Sequence, residues 1–208
     1  MFADSVIFDL DGTLWDSCRS VAESWSRTLA EDHGGLLQLS EADIQGIMGM
    51  TAEQIAAKLF TVYGDQALEI CLDCLKKECE YISNHGGKLY PGVGQLFQLL
   101  SPTVGLYIVS NCQDGYIQCF GRYTGLERYI CDFECSGVTG LSKGENIRLI
   151  ARRNFLRSPI YVGDTAMDEE SARSAGVPFI HAAYGFGQAL APDAVIHNPL
   201  ELLDIIEV

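Results

Sequence analysis

The sequence predicts an α/β protein: a mainly parallel sheet covered by helices on both faces, with a small all-helical unit inserted after the first strand. Three observations predict it. A short apolar run, Ser5-Val-Ile-Phe8, ends at two carboxylates, Asp9 and Asp11. From Asp16 to about Gly87 the apolar residues follow helical spacing and no segment alternates like a strand. From Tyr90-Pro91-Gly92 onward, short β-branched runs alternate with helical stretches, which is the pattern of strands joined by right-handed crossover helices.

Val6, Ile7 and Phe8 are uninterruptedly apolar, as a strand buried on both faces must be. Ser17 to Glu31 places Val21, Ala22, Trp25 and Leu29 on one helical face. Ser40-Glu-Ala-Asp43 predicts a cap for a short helix at Asp43 to Ile47, and Thr51-Ala-Glu-Gln54 reads as a capping box. Asp65 to Ser83 is a long amphipathic stretch broken by Asn84-His-Gly86-Gly87. Pro91 and Gly92 precede a helix at Val93 to Leu100. Strands follow at Val104–Val109, Phe133–Ser136, Pro159–Val162, Val177–Ala182 and Ala194–Ile196. The intervening helices lie near Tyr116–Tyr123, Lys143–Asn154 and Met167–Ala175, and Pro199–Ile206 closes the chain. The expected division is a core of residues 1–15 and 89–208 and a helical cap of residues 16–88.

With 48% hydrophobic and 20% charged residues, the chain folds around a core and is not a disordered segment. Its net charge of −14 opposes binding to nucleic acid or an anionic membrane surface, whose phosphates need a basic patch. The eight cysteines, among them the pair Cys71 and Cys74, have neither the second pair nor the histidines of a zinc site, so buried free thiols are expected. The N-terminus leads directly into a strand, leaving no room for a signal peptide, and no apolar run reaches the ~18 residues of a membrane span. A reduced, cytoplasmic protein, monomer or homodimer, is the expectation.

Ligands of an open α/β sheet gather beyond the carboxyl ends of its strands. The first strand delivers Asp9 and Asp11, followed by Gly12 and Thr13, and the next delivers Ser110 and Asn111. A glycine-containing loop leads to Lys143 at a helix start, and a later strand delivers Asp164, with Asp168 one helical turn on. Each item has an ordinary explanation, as a turn, a cap or a dipole partner. Their common location at strand ends of one sheet makes a site for phosphoryl transfer. Asp9 and Asp164 suit Mg²⁺, a hard ion that takes carboxylates, waters and substrate phosphate. Lys143, Ser110, Thr13 and backbone N–H groups near Gly12 would neutralise or donate to phosphoryl oxygens, with the Asn111 amide beside them. Asp9 would attack phosphorus while Asp11 moves the proton. None of the four histidines falls in these motifs.

Asp9-Leu-Asp11-Gly-Thr13-Leu14, Ser110-Asn111, Lys143 and Gly163-Asp164-Thr-Ala-Met-Asp168 resemble the four motifs of the haloacid dehalogenase superfamily, and Ser171-Ala172-Arg-Ser-Ala175-Gly176-Val177 is similar to its next helix and strand. The resemblance implies a Rossmann-like three-layer core. The position of the insert resembles the cap of the phosphoglycolate phosphatase and β-phosphoglucomutase branch. It implies Asp9 as nucleophile, Asp11 as acid/base and carbonyl ligand, Asp164 as a metal ligand and Asp168 as its support. Two departures stand out. Lys143 is followed by Gly144-Glu145-Asn146 where many phosphoglycolate phosphatase-like members carry Pro-x-Pro, and Asp11 sets the chain apart from true dehalogenases. The expected activity is Mg²⁺-dependent hydrolysis of a small phosphorylated metabolite through an aspartyl phosphate. The alternatives are a sugar-phosphate mutase and a non-catalytic regulator. The turn Gly46 to Thr51, with Arg19, Gln45 and Lys58, is the expected region for reading the leaving group.

Overall fold

The computed structural model describes residues 1–207. Strand β1 (Ser5–Phe8) is followed by the two-residue β2 (Trp15–Asp16), then by α1 (Cys18–Asp32), α2 (Glu41–Gln45), α3 (Ala52–Leu59) and α4 (Ala67–His85). Then come β3 (Lys88–Leu89), α5 (Val93–Leu100), β4 (Gly105–Ser110), α6 (Tyr116–Thr124), β5 (Ile130–Cys135), α7 (Ser136–Thr139) and α8 (Lys143–Arg153). The chain ends with β6 (Pro159–Gly163), α9 (Ala166–Ala175), β7 (Phe179–Ala182), β8 (Ala194–Ile196) and α10 (Leu202–Ile205).

Six strands form one parallel sheet in the order β5-β4-β1-β6-β7-β8. The chain therefore winds outward from β1 first to one side and then to the other, and the strand order reverses beside β1. Register carries this to residue level. Phe8 pairs with Ile108 on one side and Val162 on the other, so the residues just beyond all three strands emerge together.

Alternation along the strands divides the core. Ile7, Tyr107, Val109 and Tyr161 point to one face, where Ile147, Ile150 and Ala172 from α8 and α9 cover them. Val6, Phe8, Leu106 and Ile108 point to the other, against Phe97 of α5 and Phe120 of α6. On that side the apolar cluster runs without a break into the helical insert through Trp25, Leu29 and Ile70.

Capping boxes start α2, α3, α8 and α9 at Ser40, Thr51, Ser142 and Thr165. Such a cap contributes about 1 kcal/mol to its helix. With Ser40 as N-cap, α2 begins at Glu41, earlier than the expected Asp43. Hydrogen bonding to β4 starts β5 at Ile130, before the expected Phe133. The antiparallel β2–β3 ribbon and the one-turn α7 were not legible as periodic patterns, being too short to show one. The closing helix divides into a tight turn at Pro199–Glu201 followed by α10. Among the described residues all eight cysteines are free, with Cys71 and Cys74 buried. No helix among them is long and apolar enough to cross a membrane.

Candidate active site

Asp9 follows β1 and is 3% exposed, its N–H donating to the Val162 carbonyl at 2.8 Å. Lys143, at the first turn of α8, is equally buried, and its Nζ donates to Asp9 Oδ1 at 3.0 Å and to Asp168 Oδ1 at 2.7 Å. The other oxygen of Asp168 accepts from the Thr165 N–H at 3.0 Å and the Thr165 hydroxyl at 2.6 Å. Asp164 closes the group, its Oδ2 accepting from the Phe186 N–H at 2.7 Å, while its Oδ1 lies 3.5 Å from the Thr13 hydroxyl. Carboxylate oxygens of Asp9, Asp164 and Asp168 all lie within 4.8 Å of one another.

Glycines make room for this packing. A Cβ on Gly12, whose φ is +83°, would stand 2.3 Å from Asp164 Oδ2, and one on Gly185 would stand 2.3 Å from Asp164 Cβ. Gly144 has a similar explanation. A Cβ there would meet Ser174 Oγ at 2.0 Å, so glycine after Lys143 lets α8 approach α9 and carries the ammonium inward.

Three buried carboxylates face one ammonium. Burial works against the charge of Lys143, yet Asp168 and Asp9 more than offset it and push its pKa up. Burial likewise opposes ionisation of Asp168, but Lys143 and the Thr165 hydrogen bonds hold it below the usual carboxylate range. Asp9 and Asp164 are pushed up, by burial first and then by their acidic neighbours. A cluster with surplus negative charge, oxygen donors only and no soft ligand fits a hard divalent cation.

Asp11 stands apart from the cluster. Its Oδ1 accepts from Ser17 Oγ at 2.6 Å and from the Tyr116 hydroxyl at 3.0 Å, and burial raises its pKa to about 6 against the pull of those two bonds. Ser110, the last residue of β4, is buried. The Asn111 side chain is engaged elsewhere, donating to the Gly49 carbonyl at 2.7 Å and accepting from Ser136 Oγ at 2.9 Å.

A cavity of about 760 Å³ opens above Asp9, Asp11, Ser110 and Lys143, roofed by the insert. Met48, Gly49, Met50 and Thr51 line it, whereas Arg19, Gln45 and Lys58 do not. Arg19 pairs with Glu23 on the surface, and Lys58 Nζ donates to the Gly46 carbonyl. Several residues at the site escaped sequence reasoning. Tyr161 donates to the Val109 carbonyl at 3.0 Å and lies 3.4 Å from Asp168 Oδ1. The buried His181 meets the Asp164 carbonyl through Nε2 at 3.1 Å. Glu78 of α4 accepts from the Trp25 indole and from Gln113 Nε2, and burial raises its pKa to about 8. Ser17 and Glu78 carried one available signal: a polar residue interrupting the apolar face of a helix or its cap.

The model of the haloacid dehalogenase-like hydrolase family matches residues 6–182. The phosphoglycolate phosphatase of Synechococcus elongatus is 29% identical, over 97% of this chain and 96% of that protein. That of Rhodospirillum rubrum is 27% identical, over 88% and 81% respectively. A solved structure of a putative phosphoglycolate phosphatase from Lactobacillus plantarum superposes with a TM-score of 0.82 at 22% identity, covering 99% of this chain and 100% of that one, a likeness of fold. The family match spans every strand-end motif and most of the sheet, and the chain belongs to the haloacid dehalogenase-like hydrolases.

Proposed function

We propose that the protein is a Mg²⁺-dependent phosphatase that hydrolyses a small-molecule phosphomonoester through an aspartyl phosphate on Asp9. The observation that carries this reading is the buried junction of Asp9, Lys143, Asp164 and Asp168 beneath a cavity. Membership of a hydrolase family and relatives named as phosphatases support it. Asp9, Asp164 and the Asp11 carbonyl would hold the ion, with Asp168 supporting them. Bound there, it supplies charge that offsets the phosphoryl oxygens.

Asp9 Oδ2 takes no hydrogen bond among the described residues and is the free oxygen for attack on phosphorus. As that bond forms, the ester P–O bond breaks and its electron pair leaves with the alcohol oxygen, which takes a proton from Asp11. Water then attacks phosphorus of the aspartyl phosphate, Asp11 recovers a proton from it, and phosphate departs with Asp9 restored. The pKa of about 6 lets Asp11 move between both states near neutrality. Lys143 Nζ, Thr13, Ser110 and the Asn111 N–H donate to the transferring oxygens. The Gly12 N–H, expected among them, is taken by the Trp15 carbonyl at 2.9 Å, and Gly12 serves by leaving room for Asp164. Residues 16–88 act as the cap that excludes water, with the Asn111 to Gly49 bond as part of its seam.

Release of p-nitrophenol from p-nitrophenyl phosphate tests this. Activity is expected with Mg²⁺, is expected to vanish with a chelator, and should fall about 10⁴-fold or more in Asp9→Asn. Turnover that persists in the variant would overturn the assignment of Asp9.

A further inference from the structure

We infer that the alcohol released by this site is uncharged and broadly apolar, bulkier than a two-carbon acid, and that it is read by the apolar roof of the cavity. This rests on the phosphatase reading and narrows its substrate class. It departs from the substrate in the names of the phosphoglycolate phosphatase relatives.

Size is the first ground. The cavity of about 760 Å³ falls within the roughly 300–1,000 Å³ typical of sites for drug-sized ligands, and a phosphorylated two-carbon acid leaves most of it empty. The roof is tied to the sheet at one side of this volume, where the Asn111 side chain donates to the Gly49 carbonyl at 2.7 Å.

Wall chemistry is the second. Val21, Trp25 and Ile47 are buried apolar groups of the roof, while Met48, Met50 and Leu75 are half-buried and turn surface to the cavity. Flexible thioethers adapt to a bulky apolar ligand at little cost. Glu78 offers no free polar anchor among them, because the Trp25 indole and Gln113 occupy its two oxygens.

Charge is the third. Lys143 and Lys76 are the cations that line the cavity among the described residues, and no arginine or histidine does. Lys143 donates to Asp9 and Asp168 and keeps its remaining proton for the transferring phosphoryl group, and Lys76 is exposed, where solvent screens it. Asp11 stands in the wall, and Glu53, Asp114 and Glu170 are exposed around it. A carboxylate or second phosphate on the leaving group would lose water among carboxylates without gaining a buried partner. An apolar alcohol meets no such penalty.

The test compares kcat/KM in Mg²⁺ for three esters of primary alcohols: ethyl phosphate, phosphoglycolate and 2-phenylethyl phosphate. The phenylethyl ester is expected to exceed ethyl phosphate by roughly 10- to 200-fold, the discrimination an apolar pocket draws from one or more buried groups. Phosphoglycolate is expected to fall lowest. Met50→Lys, a change of similar length on a half-buried turn, should raise phosphoglycolate and lower the phenylethyl ester. A phosphoglycolate value equal to or above the phenylethyl one in the unmodified protein overturns the inference and leaves the phosphatase reading intact. Equal values for ethyl and phenylethyl esters do the same. Phosphate release from none of the three, nor from p-nitrophenyl phosphate, overturns the phosphatase reading and the inference together.

Discussion

At the strand ends, one ammonium touches Asp9 at 3.0 Å and Asp168 at 2.7 Å, Thr165 holds the other oxygen of Asp168, and the Phe186 N–H holds one oxygen of Asp164. Across the same cavity, Met48, Met50 and Leu75 are half-buried side chains held by packing. The floor joins residues up to 151 positions apart, whereas the roof is assembled from neighbouring helices with their own caps. Electrostatic error on the floor is costly because each buried charge needs its partner, while an apolar wall tolerates exchange of one shape for another. Substitutions on the floor should therefore alter chemistry and stability together, and those on the roof should alter selectivity.

The largest expected effect breaks the floor at its cation. Lys143→Met leaves Asp9 and Asp168 buried without their ammonium, a loss of about 3–5 kcal/mol. In a chain of this size each kcal/mol lowers Tm by roughly 2–4 °C, so thermal denaturation should show a fall on the order of 10 °C. A Tm within a degree or two of the original would mean that the pair contributes little to folding.

Glu78 is the buried acid that the roof shares with the loop after β4, and it sharpens the contrast. Its folded pKa of about 8 lies above the unfolded value of 4.5, so the native state holds the proton more tightly. That contribution to stability is full below pH 4.5 and is progressively lost as pH rises through about 8. Glu78→Gln mimics the protonated form and removes the titration. Denaturant midpoints between pH 5 and 8 should fall more steeply for the original protein than for the variant, and parallel slopes would rule out a buried titration at this residue.

The floor was legible before the roof for a physical reason. The proposed chemistry confines Asp9, Asp11, Ser110, Lys143, Asp164 and Asp168 to fixed residue types at strand or helix ends, and turns and apolar runs mark those ends in the chain. Leaving-group contacts have no such requirement. Arg19 and Lys58 looked suitable by charge, yet each satisfies a nearer partner, Glu23 and the Gly46 carbonyl. Tyr161 and His181 read as strand residues because their polar ends find partners only when parallel strands align. The side chain of Asn111 illustrates the same limit, as its engagement with Gly49 spans 62 residues.

A divalent cation should separate floor from roof directly. At a free concentration of 100 times Kd, binding to the native state alone adds about 2.7 kcal/mol. That corresponds to a Tm increase of roughly 5–10 °C for a chain of this length. Mg²⁺ should produce the increase in the original protein and in Met48→Ala, and little of it in Asp164→Asn. An equal increase in all three would place the ion elsewhere.

The smallest effect concerns Asp11, whose orientation is shared between the two regions. Ser17 stands at the head of α1 in the insert and Tyr116 begins α6 of the sheet layer, and their hydroxyl oxygens lie 2.8 Å apart. Both donate to one oxygen of Asp11, which leaves the other for the proton transfer proposed for it. Tyr116→Phe keeps the ring packed against Trp15 and removes only the hydroxyl. A hydrogen bond to a charged group is worth about 1.5–3 kcal/mol. Because Ser17 still holds Asp11, the expected loss is at the lower end, roughly tenfold in kcat. KM should stay nearly constant, since the tyrosine orients the proton donor and does not grip the phosphoryl group. A rise in KM with kcat preserved would assign Tyr116 to substrate binding. An unchanged kcat in both Tyr116→Phe and Ser17→Ala would show that Asp11 finds its position without either, and that the junction between insert and sheet serves packing alone.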